Sequence, residues 1–136
     1  MPWQAYALDE KARKLVKDAL EGDKNIKEAS KQAFKESYKM RSTVAYGLER
    51  FWGEAKRHEE KDSQALAKYW KATWNVLVET LAKADVKLPK HNNVAAMADE
   101  LWSLSREDQQ IALAVLTQLC DCMVWWTQRY KNDVKK

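Results

Sequence analysis

Residues 105–126 read SREDQQIALAVLTQLCDCMVWW. Ser105 followed by Arg106, Glu107 and Asp108 fits a capping box, with a side-chain acceptor at the helix start and acid in the first turn. From Ile111 to Trp126 there is neither glycine nor proline, and the run is too long for one strand, so it reads as a helix. Its apolar residues go nearly all the way round, which predicts that this helix is the buried centre of a bundle.

Working back from that helix, Asn93 caps a short helix carrying Val94, Met97, Leu101 and Leu104. The segment DVKLPKHNN before it is a loop, broken by Pro89. Ser63 opens a further helix with Leu66, Trp70, Thr73, Leu77, Leu81 and Ala84 on one face. Asp23 opens the longest pattern, through Ile26, Ala33, Phe34, Ser37, Met40, Val44, Leu48, Phe51 and Ala55, with Gly47 and Gly53 as places where it bends. The first helix is expected to be capped by Asp9, to bury Ala12, Leu15, Val16, Ala19 and Leu20, and to stop at Gly22. Only 3 Gly and 2 Pro occur in 136 residues, so tight hairpin turns are scarce and long uninterrupted elements are favoured. The expectation is an all-α chain, one helical bundle of about five helices over residues 1–136.

No window approaches 18 consecutive apolar residues, and the start MPWQAYALDEKARK is no leader peptide; both suggest a soluble, cytoplasmic protein without membrane contact. Cys120 and Cys122 sit two apart on a helix, pointing about 200° away from each other, so neither a mutual disulfide nor a shared metal site fits. They read as small buried apolar residues.

Charge is unevenly spread. Residues 1–57 hold 13 basic and 9 acidic side chains, residues 58–128 hold 7 and 10, and the last eight residues add a surplus of three positive charges. Such separation suggests a basic face, which meets phosphate or acidic protein. Residues 24–40, KNIKEASKQAFKESYKM, show where that face lies. Lys27, Lys31, Lys35 and Lys39 recur at every fourth position, although neighbours in such a row repel by about a few tenths of a kcal/mol. On a helical wheel Lys24 and these four fall opposite the apolar set, and Tyr38 and Tyr46 fall in the same sector. The row from Lys27 to Lys39 would be about 18 Å long. Lysines neutralise phosphates without regard to base, and tyrosines stack on unpaired bases, so the row outlines a surface for the backbone of single-stranded DNA or RNA. The alternative is a solvated helix face, with Glu28 and Glu36 nearby.

Seven tryptophans, at positions 3, 52, 70, 74, 102, 125 and 126, exceed what one small core usually needs. Trp125 and Trp126 are adjacent and cannot both face one core line. Most should be core, with one or two left at the surface as anchors for a partner protein.

Support for catalysis is thin. His58 lies in RHEEKD and His91 in KHNN, both expected to be solvent-exposed and neither at ligand spacing to a cysteine or second histidine, so no metal or other cofactor is expected. There is no glycine-rich phosphate loop, G-x-S-x-G or H-E-x-x-H. The expectation is a protein that is not an enzyme.

A basic, all-helical chain of this size, with a leading amphipathic helix, a long charged second helix and an aromatic terminal helix (CMVWWTQRYK), resembles the small subunit of CRISPR effector complexes. The step Tyr46-Gly47-Leu48 is similar to a glycine-leucine step in one branch of those subunits. The resemblance implies a non-catalytic scaffold subunit of a ribonucleoprotein in antiviral defence. Copies of such a subunit stack beside the other subunits, and a basic surface steers the target or displaced strand. The alternative is a protein-only helical adaptor or inhibitor, of phage or plasmid type, in which the lysines meet an acidic partner and the tryptophans dock it.

Overall fold

A computed structural model of the chain describes residues 2–21, 34–60 and 64–134. Among these the regular structure is all helical and includes no strand. The six α-helices are α1 (Pro2–Glu21), α2 (Ser37–Thr43), α3 (Leu48–Glu60), α4 (Gln64–Lys83), α5 (Val94–Trp102) and α6 (Arg106–Val134). Buried residues from all six, Leu8 to Met123, form one connected apolar cluster. α6 lies along α1 and α2, and α3 lies along α4 and touches α5.

Two helix starts follow directly from their capping residues. The Asn93 side chain accepts from the Ala96 N–H at 2.9 Å, and the Ser105 hydroxyl accepts from the Asp108 N–H at 3.0 Å. Each satisfies a backbone donor that the first helical turn leaves without a partner.

Elsewhere tertiary structure departs from the local reading. α1 starts at Pro2 rather than at Asp9. Proline suits a first helical position because its φ is already helical and the missing N–H had no acceptor there. The long second helix is broken into α2 and α3, with short 3₁₀ turns at Phe34–Glu36 and Val44–Tyr46. Gly47 makes the break at φ 100°, ψ 175°, a conformation essentially closed to residues with a Cβ. Its carbonyl then accepts from the Phe51 N–H at 3.2 Å and starts α3.

The loop before α5 is partly core. α4 ends with Asp85 at φ 63°, the Val86 N–H bonded to the Leu81 carbonyl at 2.9 Å and the Asp85 N–H to that of Ala82 at 3.1 Å. This is a Schellman closure with aspartate where glycine is usual. It turns Val86 and Leu88 into the core, where both are buried.

α6 is amphipathic rather than buried all round. Ala112, Leu116, Leu119, Cys120, Met123 and Thr127 are buried, whereas Ile111 and Trp125 are 37% and 53% exposed. Among the described residues, α1 and α2 cover one side of this helix, and its other side carries the exposed Ile111 and Trp125.

Candidate nucleic-acid interface

Lys24, Lys27 and Lys31 lie outside the described residues. The part of the row that follows them is held by a set of inward contacts. Glu36 Oε1 accepts from Trp70 Nε1 at 3.1 Å and lies 3.6 Å from His58 Nε2. The Ser37 hydroxyl is hydrogen-bonded to that of Thr127 on α6, and Met40 is fully buried. With 36, 37 and 40 turned inward, helical geometry sends Lys35, Tyr38 and Lys39 outward, and all three are exposed.

The lysines do not remain equivalent. Lys39 Nζ lies 3.7 Å from Glu54 Oε2 and so ties α2 to α3. Lys35 makes no ion pair with a described side chain. Tyr46, 71% exposed, stands beyond α2 in the 3₁₀ turn, with the Arg50 guanidinium 5.1 Å from its ring centre. The break before Gly47 therefore removes it from the single sector that a continuous helix would have shared with Tyr38.

The structure adds residues that spacing alone did not single out. Arg41 Nε donates to Asp121 Oδ1 at 2.5 Å, so α2 and α6 run antiparallel, with Ser37 opposite Thr127 and Arg41 opposite Asp121. Trp125 is one turn beyond Asp121 and Arg129 two turns beyond it. The Arg129 guanidinium lies 5.6 Å from the Trp125 ring. Tyr38 is one turn before Arg41 on α2. Arg41 thus bridges the α2–α6 seam, while Lys35 and Tyr38 around the start of α2 and Trp125 and Arg129 on α6 are exposed. Of these, Lys35 and Tyr38 belonged to the row read from the sequence, and the only sequence signal of the α6 pair was the four-residue spacing of Trp125 and Arg129. Neutral, polarizable rings with cations stacked on them offer both a stacking face and phosphate neutralisation.

His58 is buried, contrary to the exposed position expected for it. Burial pushes its pKa below the ordinary 6.5, and Glu36 partly opposes the shift. The carboxyl of Glu54 is held below its usual range, first by the hydrogen bond from Arg57. Together Glu36, Glu54, Arg57 and His58 form a half-buried polar seam joining α2, α3 and α4. Burial also pushes the Cys120 thiol up to about 12, so it stays protonated in the core, as a small apolar residue does. His91 is exposed and lies 2.9 Å from Glu100, bracing the connection against α5. Among the described residues no three His, Cys, Asp or Glu side chains are grouped as a metal site, and no helix is long and apolar enough to cross a membrane.

The tryptophans divide as their number suggested. Trp52, Trp70 and Trp74 are core, while Trp102 and Trp125 stand out at 68% and 53% exposure.

No protein-family model, curated protein or solved structure matches the chain.

Proposed function

We propose that the chain is a non-catalytic scaffold subunit of a ribonucleoprotein of the CRISPR effector kind. In this role it contacts a single strand of RNA or DNA along the α2–α6 seam and packs against other subunits and copies of itself. The observation that carries this reading is the exposed Trp125 ring under the Arg129 guanidinium on α6, together with the exposed Lys35 and Tyr38 around the start of the neighbouring α2. A strand laid there would stack bases on the rings while its phosphates meet the arginines and the lysine row.

The test is single-strand binding as a function of salt, by the protein alone or in its complex. Changing Lys27, Lys31 and Lys35 to Gln, with the Lys39–Glu54 pair left in place, should flatten the slope of log K against log salt by about 2.1, at roughly 0.7 per contact. Trp125→Ala should weaken binding by about 1–3 kcal/mol and leave the slope alone. Unchanged affinity in both variants would reject the strand-binding surface.

The second reading is a protein-only adaptor or inhibitor. It is favoured by Trp102 and Val94, which are exposed on α5 away from any basic row and suit a partner's apolar surface. Loss of partner capture in Trp102→Ala, with strand binding absent from the parent protein, would establish it in place of the first.

A further inference from the structure

A cleft of about 390 Å³ opens between α3, α4 and the connection into α5. None of its walls belongs to the α2–α6 seam. Its floor is apolar, made by the last exposed edges of Trp52 and Trp74 with Val78 and Met97. Its rim carries Lys56, Lys71 and Lys90. Among the described residues none of these three ammonium groups has a carboxylate within ion-pairing distance, whereas Arg57 on α3 is paired with Glu54.

Two further features narrow the occupant. Asn75 and Asn92 line the cleft with side-chain amides that bond no described residue; each pairs a donor with an acceptor, as the edge of a nucleobase does. Glu59 and Glu79 also line it. Glu79 is near Lys11 and Lys83 as well, which offsets its charge. Glu59 supplies a carboxylate of the kind that accepts from ribose hydroxyls beside a bound nucleotide. The volume lies in the small-molecule range of roughly 300–1,000 Å³ and exceeds what one inserted side chain would fill.

We propose that this cleft binds a nucleoside 5′-monophosphate unit, with the base against the indole edges of Trp52 and Trp74, its edge on the asparagine amides, and the phosphate on Lys56, Lys71 and Lys90. An acidic peptide would use the lysines but would leave both amides and the planar floor without a matching group. The site stands independently of the α2–α6 seam, so either can fail alone.

The experiment is calorimetric titration of the full chain with adenosine 5′-monophosphate, adenosine and inorganic phosphate. The monophosphate should bind with a Kd of about 1 mM or tighter, and the other two at least about tenfold more weakly. The variant K56Q/K71Q/K90Q changes only rim side chains. It should lose at least about tenfold for the monophosphate and little for adenosine. Asn75→Trp fills the cleft and should abolish binding of both while the melting temperature holds. Competition of the monophosphate by a short oligoadenylate would assign the unit to a strand, and its absence to a free nucleotide. No binding at about 10 mM monophosphate, binding unaltered in the triple variant, or capture of an Asp-Trp-Asp peptide in its place would overturn the proposal.

Discussion

The indole N–H of Trp126 donates to Asp9 Oδ1 at 2.9 Å, joining residues 117 apart in the chain. Beside it the Arg13 guanidinium lies 5.7 Å from the Trp126 ring centre, and Arg13 Nε donates to the Tyr130 hydroxyl at 3.1 Å. The first and last helices are therefore fastened by polar groups as well as by the buried Leu8, Ala12, Leu15 and Val16. Asp9 sits in mid-helix, where a short acidic side chain has no local advantage, and its partner on α6 supplies the reason for it.

Trp126→Phe keeps most of the ring and removes the donor to a carboxylate. It should cost about 1.5–3 kcal/mol, and Asp9→Asn, which retains an acceptor, should cost less. Urea denaturation of the two variants measures both. Equal and negligible losses would mean that this bond contributes nothing to the α1–α6 contact.

The two described glycines should respond in opposite directions. A Cβ at Gly47 would touch nothing within 4 Å, yet φ is 100° there, so Gly47→Ala should destabilise by about 1–2 kcal/mol through backbone strain alone. At Gly53, inside α3, a Cβ would meet only Glu49 Oε1 at the ordinary distance of 3.6 Å. Gly53→Ala should therefore stabilise by about 0.5–1 kcal/mol, because alanine loses less chain entropy in a helix. Thermal melts of the two variants moving the same way would contradict the break at Gly47.

Stability should also depend on pH through His58. Burial lowers its folded-state pKa most, Arg57 and Lys39 lower it further, and Glu36 and Glu54 oppose them. The unfolded chain takes up a proton near 6.5 and the folded one only at lower pH. Between those values the unfolded state binds more protons, so stability is full above 6.5 and falls as pH drops through the folded value. Glu54, also lowered, adds a second loss of the same sign that begins below its ordinary 4.5. Urea midpoints at about pH 8 and about pH 5.5 should differ in the parent and converge in His58→Gln. A midpoint that rises on acidification would show that the carboxylates hold the histidine charged in the folded state.

The sequence by itself determined the helical class, the caps at Asn93 and Ser105, and the core face through Met40, Val44, Leu48 and Phe51. These rest on rules that act within a turn or two of the chain: side-chain oxygens reaching N–H groups three residues on, and apolar groups repeating every 3.6 residues. It also marked Gly47 as a place for a bend. What it could not set was how far each face would be covered, because coverage depends on helices distant in sequence. Ile111 and Trp125 are as apolar as their buried neighbours on α6, yet none of the described helices covers them. His58, in a charged run, is buried because Trp70 on α4 packs against its ring at 5.8 Å and Glu36 comes in from before α2. The same holds for the basic surface: periodicity places Lys35, Tyr38 and Lys39 opposite the core, but only the packing of α2 on α3 and α6 binds Lys39 to Glu54 and Arg41 to Asp121.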